Sequence, residues 1–287
     1  MKKSALALGA FLLAAAAPMP FMPGVVSTAE NEYNLSVTRD GQTMVFARSG
    51  AEFAGARILV MVKEGSRWSD PQPVPFAVGR YRHSDPWLTP DGRWLYFISD
   101  RPAPAREGDR RDLDIWRVAR LPNGAWGVPQ YLEGINSPGE ELGPELHGGV
   151  LYFNSTRRGG PGNLDIYGAS QRPDGSFEEP QPLPAPINTA QAEGDFTLSP
   201  NGAQAFFWST RGGKAGLWSA TRVNGGWAEP KSIEAVDDGS FVFTPALVDG
   251  RLAYASTRKH KHQPDGMADI YIEEPTSSGR KDTVPAK

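Results

Sequence analysis

Residues 148–170 read GGVLYFNSTRRGGPGNLDIYGAS. A Gly-Gly turn opens an apolar and aromatic run, Ser155-x-Arg157 closes it, and a glycine-rich loop leads to a second run starting at Asp165. The same phrase recurs along the chain as VTRDGQTMVFARS (37–49), LTPDGRWLYFISDR (88–101), LSPNGAQAFFWSTR (198–211) and LVDGRLAYASTR (247–258). Arg101, Arg157, Arg211 and Arg258 fall 56, 54 and 47 residues apart. The second run recurs as DLDIWRVAR (112–120), GLWSATR (216–222) and ADIYIEE (268–274), with ARILVMVK (56–63) as a weaker first copy. An aromatic-x-x-Pro signature then follows in WSDP (68–71), WGVP (126–129), FEEP (177–180) and WAEP (227–230).

Each unit has a direct physical reading. Asp-Gly and Asn-Gly tolerate positive φ and favour tight hairpins. Runs such as Trp94-Leu95-Tyr96-Phe97-Ile98 are apolar on both faces and belong in a strand covered on both sides. Pro129, Pro180 and Pro230 cannot donate to a ladder, so they belong at a sheet edge. One unit is a four-stranded antiparallel sheet that cannot bury both faces alone, and radial stacking of about 50 residues per unit makes a β-propeller. The expected fold is all-β, a propeller of five blades at roughly 30–80, 81–138, 139–190, 191–238 and 239–275, with six blades as the alternative.

Composition agrees. Glycine and proline make up about one residue in five, beside 39% hydrophobic and 10% aromatic residues. That balance excludes a helical bundle and a disordered chain. A net charge of −3 gives no general attraction to nucleic acid or anionic lipid, and with no cysteine there are no disulfides or thiolate metal sites.

Lys2-Lys3 followed by the apolar run Ala5–Ala17 reads as a secretory signal peptide. The expected division is residues 1–16 as signal peptide (cleavage after Ala29 as the alternative), 17–275 as one propeller domain and 276–287 as a disordered tail. The chain is expected to be periplasmic or secreted, without a transmembrane segment, and monomeric. Blade five lacks an aromatic-x-x-Pro strand. Val26 stands six residues before Glu32, as Ile135 does before Glu141 and Ile187 before Glu193. Residues near 20–31 therefore look like the tail end of a blade, and are expected to complete blade five.

The repeats, above all INSPGEELGPELHGGVLYFNSTRRGGPGNLDIY (135–167) and INTAQAEGDFTLSPNG (187–202), resemble the WD-like propeller repeat of the TolB type. The resemblance implies a propeller in an exported bacterial protein. It departs from that type in showing five repeats rather than six, and neither the separate N-terminal domain of TolB nor a peptidoglycan-binding domain is found, so TolB's role at the cell envelope does not transfer as such.

Residues recurring blade by blade are read as structural. Asp114, Asp165 and Asp269 are expected to accept hydrogen bonds within their blades, with charge assistance from the Ser-x-Arg side. Gly216 replaces this Asp in blade four. Candidate binding residues are those at the starts of the innermost strands: Glu32 and Asn34, His83 and Asp85, Glu140 and Glu141, Glu193 and Asp195. Phe241-Val242-Phe243 breaks this pattern and is expected to form an apolar wall. Converging at a channel mouth, these groups suit a protein or peptide partner, a sugar, or a hard cation such as calcium, although no cofactor or metal is expected. If the chain is an enzyme, the alternative is a carbohydrate-active hydrolase or lyase using His83, Asp85, Glu141, Glu193 or Asp195. His260-x-His262 reads as a solvated loop and His147 as part of a turn. No Gly-x-Ser-x-Gly elbow, His-Glu-x-x-His, phosphate loop or dinucleotide fingerprint is present.

Overall fold

The computed structural model describes residues 18–77, 79–104, 112–260 and 263–273. The expected signal peptide, the tail at 276–287 and His262 lie outside the described residues. The chain forms five antiparallel sheets in sequence order, the blades of a β-propeller. The inner strands are Asn31–Val37, His83–Leu88, Glu141–His147, Glu193–Leu198 and Val242–Val248. Each turns back into a second strand: Thr43–Ser49, Trp94–Ser99, Val150–Ser155, Gln204–Ser209 and Arg251–Ser256. The third strands are Arg57–Glu64, Asp114–Ala119, Asp165–Ser170, Gly216–Val223 and Asp269–Ile272. Two-residue outer strands follow in the first four blades, at Gln72–Pro73, Gln130–Tyr131, Gln181–Pro182 and Lys231–Ser232. Pro129, Pro180 and Pro230 stand just ahead of these strands, where a missing N–H costs no ladder bond.

The apolar runs are buried on both faces because each blade is sandwiched between two neighbours. The cores lie in the seams: Val45, Ile58 and Val74 of blade one pack with Leu88, Phe97 and Val118 of blade two. Leu35, Met44 and Phe46 of blade one pack with Ala253 and Ile270 of blade five.

That last seam is completed by the segment before blade one. In blades one to four, a residue of the outer segment donates its N–H to the second residue of the third strand or its counterpart: Val74 to Ile58, Leu132 to Ile115, Leu183 to Ile166 and Ile233 to Leu217. In blade five Phe21 makes the same bond to the Ile270 carbonyl at 2.7 Å. Val26 is fully buried, and Phe21 and Met22 pack on the same core. Residues 18–30 thus hold the outer place in blade five and tie the two ends of the ring together.

Every inner strand carries a register shift, between Tyr33 and Ser36, Ser84 and Trp87, Leu142 and Glu145, Gly194 and Thr197, and Phe243 and Ala246. One extra residue is inserted each time, a β-bulge. At its centre sits a left-handed residue: Asn34, Asp85, Gly143, Asp195 or Thr244, with φ between 47° and 57°. Four of the five are Gly, Asn or Asp, the types that tolerate this region best.

Candidate functional site

The carboxylates expected at the channel mouth separate into two sets. Glu32, Glu141 and Glu193 are fully buried. Glu193 accepts from the Thr189 N–H and hydroxyl, each at 2.8 Å, from Ser209 at 2.8 Å, and pairs with Arg211 at 3.4 Å. Glu141 repeats this with the Ser137 N–H and hydroxyl, Ser155 and Arg157. Glu32 does so with Thr28 and with Arg48 at 2.7 Å. Burial pushes the Glu32 carboxyl up to about 7, against the lowering pull of Thr28 and Arg48. His83 takes the corresponding place in blade two, with Arg101 at 3.3 Å from its Nδ1. In blade five the place falls to Val242, opposite Ser256, and Arg258 turns to Asp238 at 3.1 Å.

These groups lie inside the blades and their seams, which corrects the expectation that they converge at a mouth. The Ser-x-Arg motif is corrected too: Arg157 and Arg211 serve the glutamates and nearby carbonyls, whereas Asp165 accepts from the Gly162 N–H. Each guanidinium also lies over the rings of its own blade, as Arg157 does over Phe153 and Tyr167 at 5.1 Å. Glu140 is exposed, tied to Thr156 through its backbone. His260 is more than a solvated loop residue, since its Nε2 is paired with the buried carboxylate of Asp269.

The second set lines the channel. Asn34, Asp85, Gly143, Asp195 and Thr244 form its narrow waist, one residue from each blade. Their bonds run around the ring. Asp85 Oδ2 accepts the Gly143 N–H at 3.0 Å, Asp195 Oδ2 accepts the Thr244 N–H at 3.2 Å, and Thr244 Oγ1 accepts the Asn34 N–H at 3.3 Å. Gly143 has no side chain to continue the chain, and Asn154 accepts the Asp195 N–H instead, at 3.2 Å. Asn34 Oδ1 is buried without a hydrogen-bond partner. Burial pushes Asp195 up to about 7, helped by the charges of Asp85 and Glu145, and burial raises Asp85 as well.

The wide opening is at the end opposite the one expected. A cleft of about 680 Å³ lies where the inner strands turn into the second strands, and all five blades line it. Trp87, Ala246 and Val248 supply apolar wall, and Glu145 and His147 a polar pair. His147 ends an inner strand rather than occupying a turn. Its Nε2 is 2.7 Å from Glu145 Oε2, and its ring lies against Trp87 with centroids 5.6 Å apart. Leu35, Trp87, Glu145 and Ala246 line both the cleft and the waist, so the two adjoin. Phe241, Phe243, Tyr33 and Phe53 pack together at the other end. The sequence pattern missed Glu145, His147 and Trp87 as channel residues because they follow the bulge rather than open the strand.

No family model matches the sequence, and no curated protein matches it. Solved structures share the architecture. A putative TolB from Agrobacterium tumefaciens is 18% identical with a TM-score of 0.50, over 80% of this chain and 71% of that one. A glycoside hydrolase is 13% identical with a TM-score of 0.57, over 91% and 92%. An endo-arabinase from Bacteroides thetaiotaomicron is 14% identical with a TM-score of 0.56, over 91% and 98%. At such identities the likeness is one of fold: the chain is a five-bladed β-propeller of about four antiparallel strands per blade. Among the described residues no helix is long and apolar enough to cross a membrane.

Proposed function

We propose that this chain is an exported, non-catalytic binding propeller whose funnel receives a protein or peptide partner in the cell envelope. The observation that carries the reading is the fate of the carboxylates. Glu32, Glu141 and Glu193 are each fixed by hydroxyl, backbone and guanidinium partners, and the same network appears in three blades. A repeated, fully partnered group is the mark of a structural role. Hydrolysis of a glycosidic bond needs two carboxyl groups flanking an open cleft. The seam glutamates offer no such cleft, while all five blades contribute to a funnel that joins apolar wall to charged groups at its rim, a surface suited to a protein or peptide. The rival reading, a carbohydrate-active hydrolase or lyase, draws on one observation: Asp195, raised to about 7 beside Asp85, has the protonation of a general acid.

The test joins capture of partners from envelope extract to a panel of glycan substrates. The expected result is a purified partner that binds the wild type and is lost when Ala246→Trp fills the funnel, with no glycan cleaved. Turnover of any glycan that disappears in Asp195→Asn, with the fold intact, sinks the binding reading.

A further inference from the structure

Charge is distributed unevenly down the funnel. At the rim Arg39 and Arg93 are balanced by Asp91 and Asp249. One step further in, Glu145 Oε2 lies 2.7 Å from His147 Nε2. At the waist Asp85 and Asp195 hold only hydroxyl and backbone donors, and no Lys or Arg lies within ion-pair distance of either among the described residues. Each seam glutamate, by contrast, has its own arginine. Beside the waist aspartates, Asn34 Oδ1 is a buried acceptor with no donor. The waist is therefore rich in acceptors and poor in donors. Above it Trp87, Ala246 and Val248 supply apolar wall. An aliphatic stem ending in a donor-only cation matches both halves of this arrangement.

We infer that the funnel takes one lysine side chain presented by a peptide, its stem against Trp87, Ala246 and Val248 and its ammonium toward Asp85, Asp195 and Asn34, where the waist leaves about 20 Å³, room for a group the size of one water. This rests on the binding reading above and names the chemistry of that ligand. The rim excludes nothing by net charge, so selection falls at depth, where desolvated charges discriminate most strongly. Binding is linked to protonation. Among the described residues, Asp85 and Glu145 act on Asp195 directly, His147 lies against Glu145, and Tyr33 of blade one reaches Asp85 through Ser84. A cation at the waist favours the ionised carboxyl of Asp195, so its binding releases a proton near neutral pH and tightens as pH rises.

The test uses four acetylated, amidated pentapeptides, Ala-Ala-X-Ala-Ala, with X as Lys, Arg, norleucine or Glu. Binding to the full chain is followed through the Trp87 indole N–H signal, assigned with Trp87→Phe. Norleucine keeps the stem and removes the charge. The expected result is that Lys binds about tenfold or more tighter than norleucine, as a charge-assisted bond warrants, and that Arg, whose guanidinium is too large for the waist, does not. Asp195→Asn and, independently, Asp85→Asn should erase that preference. Both keep an acceptor at a left-handed position that Asn tolerates. Lys-peptide affinity should rise from pH 6 to pH 8 in the wild type and rise less in Asp195→Asn, where Asp85, raised by burial, is left to ionise. Equal binding of Lys and norleucine, preference for Glu, or no binding of any peptide at roughly 10 mM overturns the inference. A captured partner that binds the wild type and Asp195→Asn equally, yet fails to bind Ala246→Trp, removes the cation and leaves the binding reading standing.

Discussion

Glu193 and Asp195 are two residues apart on one strand and lead different lives. Glu193 lies in a seam, fully buried, with Thr189, Ser209 and Arg211 around it, and its counterparts in blades one and three are held in the same way. Asp195 lies at the waist of the channel with a backbone N–H for company, and its counterparts are Asn34, Asp85, Gly143 and Thr244. Burial without an answering charge is costly, and each of the three seam glutamates comes with its guanidinium. At the waist no guanidinium answers Asp195, and burial together with the charges of Asp85 and Glu145 raises its carboxyl to about 7. Repetition therefore marks what holds the ring together, and variation from blade to blade marks what faces the channel.

Four changes press on this contrast. The heaviest strips one seam. Deleting residues 18–29 removes buried Val26, the packing of Phe21 and Met22, and the Thr28 donors to Glu32. The expected cost is roughly 5 kcal/mol, from the apolar burial of those side chains. Urea denaturation should show it, and a midpoint close to that of the intact chain would mean blade five needs no outer strand. Next, Glu193→Ala should cost about 3–5 kcal/mol by leaving Arg211 buried and unpaired, whereas a loss under about 1 kcal/mol would place the seam charge outside the structural set. Gly143→Ala comes third. A Cβ there meets Asn154 Oδ1 at 2.7 Å on a residue with φ of 57°, and about 2 kcal/mol should be lost. A neutral result would show that the waist is not held by its bulges.

The smallest effect has the opposite sign. The Asp195 carboxyl lies at about 7 in the folded chain, above its unfolded value near 4. Its contribution to stability is therefore full below about pH 4 and lost as pH rises through about 7. Asp195→Asn does not titrate. Its melting temperature should gain on the wild type by roughly 5 °C between pH 5 and pH 8. Glu32, raised in the same direction, is present in both proteins and cancels. A constant gap across that range would show that Asp195 ionises as an ordinary carboxyl.

Much of the ring was legible in the sequence. Turn glycines, two-faced apolar runs and Ser-x-Arg repeat with each blade, and they give the number of blades and the strand order. The place of the N-terminal segment was legible as well, through the matching distances from Val26, Ile135 and Ile187 to the following glutamate. The site was legible only in part. Residues i and i+2 share a face in a regular strand, so Glu193 and Asp195 read as neighbours in one mouth. The bulge breaks that parity, and its local signal is weak: Asn, Asp or Gly two residues past the glutamate, with proline following in Asp85-Pro86 and Gly143-Pro144. The partner of Arg157 was not readable at all. Choosing Glu141 over Asp165 requires the register between strands, which spacing along the chain does not supply.

The bond from Ser27 to the Ile270 carbonyl joins residues 243 positions apart. Closure of this kind sets a folding order. Four blades can form from contacts local in sequence, but the fifth must wait until its strands have been synthesised and the opening segment has returned to meet them. Pairings at such separations are slow to form, because the entropy of bringing distant ends together is lost before any contact compensates. The same bond that closes the ring therefore makes a late step, and a chain stalled before it would present one uncovered sheet edge and a half-built seam to its surroundings.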